Sequence, residues 1–147
     1  MIVLKEVEVN GIAFKLEAGR DTFFGYDLPE GQLLVQFGGT SGVFPQAPGY
    51  GEAFLAAGGD GGLNVCWIFG TVHSGVSSIT FDTSAGSIEG VPVDSSEFEA
   101  GFFFATFSPS VSITAYHLRD GAGYTIGGKL ISSEVGEQLG RSLFKYG

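Results

Sequence analysis

His73 and His117 are the two imidazoles of the chain, and either could act as a general base or as a metal ligand. His73 is followed by Ser74 and Gly75, which sets a hydroxyl beside an imidazole in sequence. Neighbours at a strand end point in different directions, so this adjacency does not by itself make a nucleophile and its base. A Ser-His-carboxylate triad draws on distant positions, and no serine or cysteine motif adjoins either histidine. Both are therefore expected to be surface or turn histidines. Cys66 stands beside Trp67 in an apolar run with no basic residue near it in sequence, which predicts a buried, inert thiol and no disulfide framework.

The carboxylates offer two further chemistries. Gly58-Gly59-Asp60-Gly61-Gly62-Leu63-Asn64 has the glycines of a calcium loop but one carboxylate and the wrong spacing for an EF-hand, so it predicts a flexible hairpin connection. A calcium site would need Asp60, Asp82 and Asp94 to meet across loops. Glu89, Asp94, Glu97 and Glu99 flank an aromatic segment. Paired carboxylates at a set separation do glycosidase chemistry, whereas a solvated acidic loop keeps an aggregation-prone strand soluble, which is the plainer expectation. No catalytic, cofactor or metal residue is thus assigned, and the reading points away from an enzyme.

Charge narrows the partners. Between Arg20 and Arg119 there is no lysine or arginine, while the same stretch holds ten carboxylates. Phosphates and carboxylate substrates normally need a guanidinium or ammonium group to offset their charge. With a net charge of −9, the chain also repels nucleic acid and anionic membrane surfaces, so neither nucleic-acid binding nor membrane insertion is expected. Met1 leads straight into an alternating segment with no basic region and apolar block behind it. No signal peptide or membrane span is read, and the compartment is left open.

The elements that position these residues read as strands. Gly makes up 25 of 147 residues, about two and a half times the usual share of roughly 7%. Such content favours turns and bulges over helices. Residues 2 to 9 alternate, Asn10-Gly11 supplies a hairpin turn, and Ile12, Phe14 and Leu16 share a face. Apolar runs follow at Thr22–Tyr26, Gln32–Phe37 and Ala53–Ala57, with the stretch Gly38 to Tyr50 read as a loop. Val65–Phe69 suits a strand buried on both faces, and Ile79 and Phe81 alternate with polar residues. Phe98 to Phe107 is almost wholly aromatic or small, and Val111, Ile113 and Ala115 alternate before a last run at Tyr124–Ile131. Since strand neighbours alternate, Phe103 cannot share a side with Phe102 and Phe104, so a second layer must cover one set. Over about 133 to 145, Ser133 as N-cap and the stripe Val135, Leu139 and Leu143 predict one short C-terminal helix, which is the expected cover for Phe102 and Phe104. Turn signals every 8 to 12 residues or so indicate an all-β sandwich or small barrel, one domain over residues 1 to 147.

From Trp67 to Thr125 the order of features resembles a β-sandwich domain of uncharacterised, mainly actinobacterial, envelope and anti-sigma-type proteins. The matching residues are Trp67 and Gly70, the set Val72, Val76, Ile79 and Phe81, and the turn Ser84-Ala85-Gly86. The strands Gly101-Phe102-Phe103 and Ile113-Thr114-Ala115-Tyr116, closed by Asp120-Gly121, complete it. The resemblance implies an immunoglobulin-like fold, often on the outer side of a membrane, and carries no catalytic residues. The expected function is a non-catalytic β-domain that binds a protein partner or assembles with itself. The alternative is a small barrel that binds or cyclises a neutral apolar small molecule.

Overall fold

The computed structural model describes residues 1–20, 22 and 25–130, and among these the chain is all-β and antiparallel. The expected helix over 133 to 145 and, in the run Thr22–Tyr26, residues 23 and 24 lie outside the described residues. Twelve strands run β1 Ile2–Val9, β2 Ile12–Gly19, β3 Gln32–Phe37, β4 Thr40–Pro45, β5 Ala53–Asp60, β6 Val65–Val72, β7 Ser78–Thr83, β8 Gly86–Glu89, β9 Val91–Val93, β10 Gly101–Phe107, β11 Ile113–Arg119 and β12 Thr125–Leu130. They form three four-stranded sheets: an N-terminal sheet β1-β2-β3-β4, a central sheet β5-β6-β10-β9 and a C-terminal sheet β12-β11-β7-β8. In none of these orders does a sheet close on itself. A sandwich, not a barrel, is realised, with one layer more than the two sheets of an immunoglobulin-like domain.

The central sheet is the reason for three layers. Every residue of β6 is buried, as the continuous apolar run predicts. Its odd positions, with Val65, Trp67 and Phe69, meet Phe14, Leu16, Val35 and Phe37 of the N-terminal sheet, joined by Phe102 and Phe104 of β10. Its even positions Ile68 and Val72 join Phe103 and Ala105 of β10 against Ile79, Phe81, Tyr116 and Leu118 of the C-terminal sheet. The alternation of a strand thus sends successive phenylalanines into two separate cores. The first core is an aromatic cluster in which Phe37 stacks on Phe104 at 5.2 Å and Phe14 meets Trp67 edge-on at 5.2 Å. The face of Phe102 and Phe104 is therefore covered by β1 to β4, which corrects the expectation that a C-terminal helix would cover it.

A second correction concerns Gly38 to Tyr50. The glycine pair at its start makes a two-residue turn, and Thr40–Pro45 returns as β4 along β3, pairing Phe37 with Thr40 and Gln32 with Pro45. Two prolines and several glycines obscured a strand at the sheet edge, where proline is tolerated. One chain segment also changes sheets: β8 pairs with β7, β9 pairs with β10, and Gly90 is the corner between them. The Gly90 N–H still donates to the Ile79 carbonyl at 2.8 Å, and a Cβ there would lie 2.5 Å from Ile79 Cγ2. A side chain at the corner would push the two sheets apart.

The two ends of the stack differ. At one end the connections are short: Asn10-Gly11, Gly38-Gly39 and Ser84-Ala85 are two-residue turns. The Asn10 amide donates to the Leu63 carbonyl, tying the N-terminal sheet to the central one, and the Ser84 N–H donates to the Ser112 carbonyl, holding the β7–β8 turn against the start of β11. The other end carries the long connections, residues 20–31, 46–52 and 94–100, with the shorter 73–77 and 120–124 among them. Backbone hydrogen bonds from Gln46 to Gly31 and from Ser77 to Arg119 hold these loops side by side.

Candidate functional site

The residues with nameable chemistry are scattered. Cys66 lies inside β6, where burial pushes its thiol up from the ordinary 9.0 and away from nucleophilic use. Asp60 ends β5, where its carboxylate accepts the Leu63 N–H at 3.1 Å, Asp82 lies on β7 and Asp94 follows β9. Three elements hold the three candidate calcium ligands, and among the described residues no group of three or more His, Cys, Asp or Glu could hold a metal. Glu89 belongs to the outer face of β8, whereas Asp94, Glu97 and Glu99 stand exposed in the β9–β10 connection.

The structure does pair His117 with a carboxylate. His117 on β11 and Asp82 on β7 face outward from the C-terminal sheet, with Nε2 2.7 Å from Asp82 Oδ2 and both side chains about two fifths exposed (39% and 43%). The neighbouring hydroxyls are engaged elsewhere: Thr80 accepts from Arg119 at 3.2 Å, and Thr114 donates to the Asp82 carbonyl at 3.2 Å. This is a solvated cross-strand pair on a sheet face, of the kind that contributes little. Among the described residues it brings no nucleophile to the imidazole.

His73 sits at the long-loop end. The Gly75 N–H donates to its Nδ1 at 2.9 Å, and the Val76 N–H to its carbonyl at 2.9 Å, so a tight turn fixes the ring. The Tyr50 ring meets it edge-on, centroids 5.3 Å apart. Glu52 follows in the same loop as Tyr50. Burial first, and then the Glu52 carboxylate, push the Tyr116 phenol up from its ordinary 10.0, which ties this loop electrostatically to the C-terminal sheet.

What the residue-by-residue reading missed are the tyrosines. Tyr26, Tyr50 and Tyr124 are 78%, 59% and 72% exposed, and the strand order carries all three to the long-loop end. Each follows a glycine, as Gly25-Tyr26, Gly49-Tyr50 and Gly123-Tyr124. Gly25, Gly51 and Gly123 have φ of 80°, 88° and 87°, a left-handed backbone that turns each loop back and leaves its ring outward. The thrice-repeated Gly-Tyr pair was the available signal. The same connections carry the exposed carboxylates Asp27, Glu30 and Glu52, and the neighbouring connection 94–100 carries Asp94, Glu97 and Glu99. Comparison of the chain with models of known protein families, with curated proteins and with solved structures finds no match.

Proposed function

We propose that this chain is a non-catalytic β-domain that works by binding a protein partner through its long-loop end. The observation that carries the reading is the convergence of Tyr26, Tyr50 and Tyr124, exposed and from three separate connections, on one end of a rigid stack. Tyrosine offers a large, rigid, amphipathic contact with little rotamer entropy to lose, and loops on a sandwich present it as paratopes do. The surrounding carboxylates and the net charge of −9 favour a partner with a basic face.

Two other surfaces are less suited. The edge strand β1 has a bulge between Val3 and Lys5 and places Lys5 opposite the core residue Leu16, features that make a strand a poor template for edge pairing. Rings and branched side chains fill both cores, which lends no support to an interior site for an apolar guest.

The test places a photo-crosslinking residue at position 50 and, in a second variant, at position 85 on the opposite end. A partner captured from position 50 and then purified should bind the parent chain and lose at least about tenfold in affinity to Tyr26→Ser/Tyr50→Ser/Tyr124→Ser, since aromatic anchors carry a large share of such interfaces. Light scattering identifies the case in which that partner is a second copy. Capture from position 85 alone, or an affinity indifferent to the three tyrosines, overturns the reading.

A further inference from the structure

The connections 46–52, 73–77 and 94–100 surround a recess of about 360 Å³ walled by Ala47, Pro48, His73, Ser74 and Glu99. That volume falls at the lower end of small-molecule sites, roughly 300 to 1,000 Å³. Its polar groups differ in kind. Glu99 only accepts hydrogen bonds, and Ser74 does both. The Nδ1 of His73 is already occupied as the acceptor of the Gly75 N–H, so the neutral ring carries its proton on Nε2 and offers a donor. Pro48 is buried and supplies an apolar wall, while the exposed Tyr50 ring stands against the imidazole.

This set selects against the simpler ligands. Among the described residues none that walls the recess is a lysine or arginine, and Glu99 carries the opposite charge, so the walls disfavour an anion. An ammonium or guanidinium group satisfies Glu99 but, having donors only, leaves the His73 N–H facing another donor. A pair of neighbouring hydroxyls fits both: one donates to the carboxylate while the other accepts from the imidazole. The C–H face of a sugar ring complements the apolar wall of Ala47 and Pro48. We infer that the recess binds one unit of a neutral carbohydrate. The inference is independent of protein docking at the same end, since it concerns a different ligand and is measured without a partner.

The test is a titration of the isotope-labelled chain, followed through its backbone amide resonances, with a panel of neutral methyl hexosides and, separately, methylammonium and inorganic phosphate. At least one hexoside should give saturable shifts confined to Ala47, Gly49, His73 to Gly75 and Glu99. Glu99→Gln should weaken that binding at least about tenfold by removing a charge-assisted acceptor. Asn10→Ala, at the far end, should leave it unchanged. No saturable shift with any hexoside, saturation by methylammonium alone, or indifference to Glu99→Gln overturns the inference. None of these results alters the affinity for a protein captured from position 50, so the two readings fail separately.

Discussion

If Phe103 and Phe104 enter different cores, their substitutions should not feel each other, although the residues are adjacent in sequence. Phe103 is 1% exposed and Phe104 5% exposed, one packed with Phe81 at 6.1 Å and the other stacked on Phe37 at 5.2 Å. Truncating such a ring to alanine costs about 3 to 5 kcal/mol, and leucine keeps half of the ring carbons beyond Cβ, so each Phe→Leu should cost roughly 1.5 to 2.5 kcal/mol. The double variant then loses about 3 to 5 kcal/mol, to be set against a total stability of roughly 5 to 15 kcal/mol for a domain. Urea unfolding with linear extrapolation gives each free energy. The Phe103→Leu/Phe104→Leu cycle should close to within about 0.5 kcal/mol, as for sites with no shared partners. The Phe37→Leu/Phe104→Leu cycle, which breaks a stacked pair, should show a coupling of about 0.5 to 1.5 kcal/mol. A coupling above about 1 kcal/mol in the first cycle, or none in the second, would refute the two-core arrangement.

A Cβ on Gly70 would run into the Phe54 carbonyl oxygen of the paired strand, so Gly70→Ala should force β5 from β6 and yield little folded protein, read by solubility and far-ultraviolet circular dichroism. Thr71 is fully buried and its hydroxyl has no hydrogen-bond partner among the described residues, so the isosteric Thr71→Val should be neutral or stabilise by about 1 kcal/mol, whereas a lower urea midpoint would mean that the hydroxyl is satisfied. Alkaline stability follows from Cys66 and Tyr116, which burial keeps protonated in the folded chain. Full stability is present below their ordinary values of 9.0 and 10.0, and above these the unfolded chain releases protons that the folded chain retains. Stability should therefore fall as pH rises through the folded values, and Cys66→Ala should remove the earlier part of that fall in urea midpoints measured from about pH 8 to 11.

Local chemistry in the sequence determined the strands that depend on it. Asn10-Gly11 made the first hairpin because that pair accepts the turn's positive φ, and Asn10 indeed has φ of 50°. The unbroken apolar run at Val65–Phe69 marked a strand buried on both faces, since any side left in water would have carried polar residues. The missing cations between Arg20 and Arg119 were equally plain. Tertiary structure alone decided what covers each face. Periodicity showed that Phe103 opposes Phe102 and Phe104, but the cover came from β2 and β3 on one side and β7 and β11 on the other, a pairing no local pattern encodes. The same holds for His117 and Asp82, 35 residues apart and joined by the register of β7 with β11. It holds for Tyr26, Tyr50 and Tyr124 as well. Each is read locally as a loop residue, and only the up-and-down course of the strands between them brings all three to the same end.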